Sequence, residues 1–169
     1  MDANALRALQ APLKNKYRET PDSAVVTLKA KGSLEDTSIA CKVETGRALA
    51  VAGLHPATGG SGAELCSGDM LLEALVACAG VTVKAVATAL EIPLKAGTVS
   101  AEGDLDFRGT LGVDKEAPVG FRAIRLKFDL DTDAPQEKLD QLLKLTERYC
   151  VVFQTLNHKP ELSVNASRS

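Results

Sequence analysis

The side chains best suited to chemistry in this chain are its four thiols, Cys41, Cys66, Cys78 and Cys150. A thiolate can attack electrophilic oxygen or sulfur, pair into a disulfide, or ligate a soft metal. Spacing argues against the metal: there is no CxxC and no paired Cys/His, and His55 and His158 each stand alone. The opening MDANALRALQ carries charged and polar residues where a secretory leader needs an apolar run. The chain is therefore expected in a reducing cytoplasm, where a disulfide is transient and chemical rather than structural.

The elements that carry these thiols distinguish them. The stretch from Asp69 to Leu90, DMLLEALVACAGVTVKAVATAL, is apolar on almost every side and predicts a central buried helix. Glu73, Lys84 and Thr88 fall with Ala77 and Gly80 on one narrow stripe at steps of three and four, which can meet solvent or a partner. Cys78 lies off that stripe and faces packed surroundings. A membrane span needs roughly 18 or more residues with few charges, and the longest uncharged run here, Ala74 to Val83, is shorter. Leu139, Leu142, Leu143, Thr146, Tyr149, Cys150 and Phe153 recur at helical spacing after a helix start at Asp133, Pro135 and Gln136, so Cys150 is expected on the buried face of a second helix or its continuation. Cys41 shares an apolar strand face with Ile39 and Val43 and reads as a small buried hydrophobe.

The remaining segments supply the frame. Residues 1–20 predict an amphipathic helix through Leu6, Leu9, Leu13 and Tyr17, kinked or split at Pro12. Val26, Leu28 and Ala30 alternate with polar residues, Gly32 and Ser33 predict a turn, and Ile39, Cys41 and Val43 alternate again. Arg47 to Ala52 predicts a third strand. The loop LHPATGGSGAELCSG has the glycines of a phosphate cradle but neither Gly-Lys-Ser/Thr nor GxGxxG. Two strands with strict alternation, Val99 to Phe107 and Ile124 to Leu130, predict a long hairpin, and ELSV a short closing strand before a mobile tail at 165–169. Antiparallel strands broken by helices give an α+β fold, a domain over 21–164 following the N-terminal helix.

Composition sets bounds. A chain of 169 residues with 45% hydrophobic content, 4% aromatics and no Trp suits one domain with an aliphatic core. Its net charge of −2, with no basic run, makes nucleic acid an improbable partner.

The Gly-rich GGSGAELCSGDMLLEALVACAGVTV, with a Cys near the middle of its helix, and the later ERYCVVFQTL together resemble the OsmC/Ohr family, over about Val25 to Val164. The resemblance implies two curved antiparallel sheets wrapped around two central helices in an intertwined homodimer. It also implies a thiol peroxidase acting on organic hydroperoxides, with Cys78 attacking, Cys150 resolving, no metal or organic cofactor, and an external dithiol reductant, a lipoyl-type dithiol being one candidate. The chemistry needs two thiols in contact: the first leaves the attack as sulfenic acid and the second condenses with it before overoxidation. It also needs a group that favours the thiolate, because an apolar core raises a thiol's pKa and a cation lowers it. In the family an early-strand Arg does this, held by a carboxylate. Asp69 carries over as the carboxylate, though a helix N-terminal residue favoured by the dipole reads equally well. Arg47 is preferred for the cation, with Lys31 as its rival. Cys66 reads as a bystander or an alternative resolving thiol. Many members continue Cys-Pro where Val151, Val152 and Phe153 stand here, which leaves two other readings open: a non-catalytic dimer that binds a small apolar ligand, or a structural stress protein with inert cysteines.

Overall fold

The computed structural model describes residues 2–20, 23, 31–34, 40–44 and 49–168. Helix α1 (Ala3–Glu19) starts where the Asp2 carboxylate accepts the Ala5 N–H at 2.8 Å, and it runs on through Pro12. Strands β1 (Lys31–Leu34), β2 (Ala40–Glu44) and β3 (Leu49–Gly53) pair antiparallel, and the short β4 (Leu65–Cys66) joins β3 in parallel. Helix α2 (Ser67–Ala89) leaves β4 directly. Strands β5 (Ala96–Leu105) and β6 (Phe121–Asp131) form the long antiparallel hairpin, with a register shift at Asp104/Leu105 and a short helix, α3 (Phe107–Thr110), in the connection. Helices α4 (Gln136–Tyr149) and α5 (Val151–Asn157) follow. The architecture is α+β.

Helix α2 organises the packing. Leu75, Ala79, Val83 and Ala87 are buried at steps of four, one stripe of the helix. The N-terminal half of that stripe packs with Cys150 against Val99, Ala101, Ile124 and Leu126 of the hairpin. The C-terminal half packs with Leu142 and Ile92 against Phe128 and Leu130. Glu73, Ala77 and Lys84 are exposed on the opposite side, as their spacing predicts, and Val81 is 73% exposed beside them. By length and composition α2 is long and apolar enough to cross a membrane, with mean hydropathy 1.8 over an 18-residue window. The uncharged run alone had suggested otherwise. Only 28% of that window is buried within the single chain.

The end of α2 is a Schellman turn: Ile92 N–H donates to Ala87 O at 2.9 Å and Glu91 N–H to Thr88 O at 3.2 Å. Glu91 takes the left-handed position at φ 58°, where glycine is the usual occupant. Its carboxylate meets Arg7 of α1 at 3.1 Å.

Three expectations are corrected. Gly32 and Ser33 lie inside β1, opposite Val43 and Lys42 of β2, because pairing overrides so weak a turn signal. Asp133 does not cap α4; Pro135 occupies that position without a side-chain bond, and Asp133 instead pairs with Lys95 at 2.6 Å. ELSV forms no strand: Leu162 is 74% and Val164 96% exposed, and an alternation of four residues cannot hold an extended conformation without a neighbouring strand.

Candidate functional site

The second helix breaks at its cysteine. Cys150 is extended at φ −73° and ψ 106° between α4 and α5. Its N–H donates back to Thr146 O at 2.9 Å, and its carbonyl accepts the Gln154 N–H at 2.9 Å, so one residue ends one helix and starts the next. No proline or glycine marks the break. Thr146, buried one turn earlier, donates its hydroxyl to Leu142 O at 2.8 Å, a back-bond that bends helices. The kink frees the first N–H groups of α5 from any partner within their own helix, and it presses Cys150, 1% exposed, against Leu75 and Ala79.

Cys78 joins the same cluster from α2, half-buried, beside Val152 and Phe153. Burial pushes its thiol up, but hydrogen bonds from the Val152 N–H, the Cys150 thiol and the Val151 N–H outweigh burial and bring it below the ordinary thiol value. Thr82 adds least. Its one hydroxyl proton goes to the Cys78 carbonyl at 2.7 Å, leaving little for the sulfur. Cys150 moves the other way: burial raises it first, then its hydrogen bond to Cys78 and the charge that Cys78 carries raise it further. The two thiols are thus shifted apart, so that Cys78 gives up its proton before Cys150 does. Among the described residues, the groups that hold Cys78 down are neutral donors.

The other expected residues are not gathered there. Asp69 is exposed on the first turn of α2, and the nine residues to Cys78 correspond to roughly 13 Å of helix. It lines a separate cavity of about 360 Å³ with His55, Cys66 and Phe121. Cys66, immediately before α2, is farther still from Cys78 along the same chain. Lys31 lies in β1 opposite Glu44, and Arg47 falls outside the described residues. Among the described residues no group of three or more His, Cys, Asp or Glu is placed to hold a metal.

The contributors that residue types did not reveal are the backbone N–H groups of Val151 and Val152. A main-chain donor has no side-chain signature, and the only hint was the apolar run after Cys150 in place of a proline.

The family described as OsmC-like protein matches residues 60–165, from the Gly-rich loop to the end of the last helix and just beyond. The chain belongs to this family. Solved structures carry the same fold. An OsmC-like protein from Mycoplasma pneumoniae is 16% identical with a TM-score of 0.65, over 79% of this chain and 89% of its own. An organic hydroperoxide resistance protein OsmC from Legionella pneumophila is 17% identical with a TM-score of 0.61, over 79% and 90%. An organic hydroperoxide resistance protein from Elizabethkingia anophelis is 14% identical with a TM-score of 0.63, over 80% and 91%. At these identities the likeness is one of fold. No curated protein matches the sequence. Helix α1 and strands β1 to β3 lie before the matched region.

Proposed function

We propose that this OsmC-like protein is a thiol peroxidase that reduces organic hydroperoxides. The observation that carries this reading is the contact of Cys78 with Cys150 and its polarity, lowered on one sulfur and raised on the other. The Cys78 thiolate attacks the distal oxygen of the hydroperoxide. The O–O bond breaks, the alkoxide takes a proton and leaves as an alcohol, and Cys78 becomes a sulfenic acid. The Cys150 sulfur then attacks the sulfenic sulfur, its proton leaves with the hydroxyl as water, and a disulfide forms. An external dithiol, a lipoyl-type one being a candidate, reduces that disulfide to two thiols and is itself oxidised.

In this reading Arg47, with Lys31 as its rival, adds the cation that further favours the thiolate. Asp69 acts only through that cation, as a positioning residue, because a carboxylate roughly 13 Å along the helix does not touch the sulfur. The protein works as a homodimer in a reducing cytoplasm. Val81 at 73% exposure, Val151 at 69% and Tyr149 at 59% leave apolar side chains of α2 and of the α4–α5 joint uncovered in the single chain, which supports an assembly. A well-behaved monomer in sedimentation at micromolar concentration would overturn the assembly.

The test of the chemistry is a pair of substitutions. Cys78→Ser abolishes dithiol-dependent consumption of cumene hydroperoxide. Cys150→Ser permits one oxidation and leaves a dimedone-trappable sulfenic acid on Cys78. A wild-type protein that consumes no hydroperoxide with any dithiol, and whose Cys78 alkylates no faster than an ordinary buried thiol, sinks the peroxidase reading and leaves the apolar-ligand dimer in its place.

A further inference from the structure

A break in a helix leaves carbonyls unpaired on one side and N–H groups on the other, and at Cys150 the two sets find different partners. Were α4 to run into α5 without interruption, the Val151 N–H would donate to the Glu147 carbonyl four residues back. That carbonyl instead accepts the side-chain Nε2 of Gln154 at 2.7 Å, across the joint. The Gln154 main chain completes the clasp, its N–H donating to the Cys150 carbonyl at 2.9 Å. One residue of α5 thus binds both the last turn of α4 and the residue at the break.

The consequence falls on the sulfur. The Val151 N–H has one proton, so donation to Glu147 O and donation to Cys78 Sγ exclude each other. With Glu147 O supplied from a side chain, continuing the helix would gain nothing there, and the Val151 N–H turns with that of Val152 to Cys78. Thr146 bends α4 from the other side of the joint, but its hydroxyl proton goes to Leu142 O and does nothing for Glu147 O. Gln154 lies on the outer side, lining a shallow hollow of about 410 Å³ with Arg148, Tyr149 and Val151, whereas Leu75, Ala79, Val152 and Phe153 pack around the thiols. A change of side chain at 154 therefore leaves no cavity in that cluster.

We propose that Gln154 is a positioning residue for the thiol pair: its side-chain amide takes the carbonyl that the Val151 N–H would otherwise claim, and so keeps the joint open and that N–H on the Cys78 sulfur. The inference rests on the peroxidase reading only for its consequence in turnover, where the thiolate available to attack the hydroperoxide comes to depend on residue 154. The contest for the Glu147 carbonyl stands without it.

The test reads Cys78 directly, through the pH dependence of its alkylation by iodoacetamide, followed by mass at the Cys78 peptide. It compares wild type with Gln154→Leu and Gln154→Met, two side chains of similar length that carry no donor, and with Val151→Pro alone and combined with Gln154→Leu. Each Gln154 variant should react about fivefold more slowly at neutral pH, with the midpoint of its pH curve moved up. Proline at 151 has no N–H to return to Glu147 O and holds Cys150 in the extended conformation it already has, so the double variant should react within twofold of Val151→Pro. A Gln154 that merely stabilises the fold would lower the denaturant midpoint and leave the pH midpoint in place, and that result overturns the proposal. So does a Gln154→Leu effect that persists at full size on top of Val151→Pro. If the Gln154 variants shift as expected while wild type consumes no hydroperoxide with any dithiol, the peroxidase reading alone is overturned.

Discussion

Along α2, the cluster around Leu142 and the cluster around Cys150 start from the same materials. Each sets two residues of the Leu75–Ala79–Val83–Ala87 stripe against one fully buried residue of the second helical segment, Leu142 at 0% exposure and Cys150 at 1%. They differ in the backbone. At Leu142 α4 is continuous and every nearby N–H has its helical partner. At Cys150 the helix stops, and the donors freed by the stop act on a sulfur from the other helix. Equal burial thus serves two ends: one cluster holds the domain together, and the other spends backbone hydrogen bonds on setting the protonation of a thiol.

The comparison is broken most forcefully from the stability side. Leu142→Ala should cost about 3 kcal/mol in chemical denaturation, because the removed side chain leaves a cavity in a packed site. The alkylation rate of Cys78 under native conditions should stay within twofold of wild type. A large change in that rate would mean that the two clusters are mechanically one. From the chemical side, Val152→Pro removes a donor in the first turn of α5, while disfavouring the helical conformation of Val151 before it. Less thiolate then exists at a given pH, so the midpoint of the pH–alkylation curve for Cys78 should move up and the rate at neutral pH fall about tenfold, a difference of roughly 1.4 kcal/mol in favour of the thiol.

Legibility in the sequence followed the same division. The solvent-facing stripe of α2 was readable because Glu73, Ala77 and Lys84 recur at steps of three and four on one face, and the β5–β6 hairpin because period two runs through both of its strands. The juxtaposition of Cys78 with Cys150 was reached through a family resemblance, not through spacing. The break at Cys150 was hidden because its cause is a threonine back-bond and tertiary packing rather than a proline or glycine. β4 was missed because two residues carry no periodicity, and ELSV was overread because alternation says nothing about whether a neighbour exists.

Val151→Pro sharpens the contrast further. Cys150 is already extended, as a residue before proline must be, so the fold should tolerate the change. The rate at Cys78 should fall by only roughly threefold, in keeping with a weaker hydrogen bond than that of Val152. Thr82→Val should have the smallest effect, under about twofold, since its proton is committed to a carbonyl.

Thermodynamic linkage separates the two sulfurs as well. With a lowered folded pKa, Cys78 favours the fold above the unfolded thiol pKa, and that contribution is lost as pH falls through the folded value. Cys150, raised, favours the fold below the unfolded value and loses that contribution as pH rises through its own. The two windows meet at the unfolded thiol value, so wild-type stability should rise with pH below it and fall with pH above it, while Cys150→Ser should keep the rise and lose the fall. A Cys150→Ser protein whose denaturant midpoint shows no rise below the unfolded thiol value would refute the lowered pKa of Cys78.

The left-handed Glu91 at the end of α2 gives the outline of the protein a dependence on its medium. A glycine there would stop the helix with less backbone strain but would offer nothing to α1, whereas Glu91 ends one helix and tethers another through an exposed pair with Arg7. Exposed pairs fade with ionic strength, as the screening length shrinks from about 10 Å at 0.1 M salt to about 3 Å at 1 M. In concentrated salt the N-terminal helix loses its ionic anchor while the cysteine-bearing core is untouched, so added electrolyte should hasten tryptic cleavage at Arg7 and Lys14 long before it affects the rest of the chain.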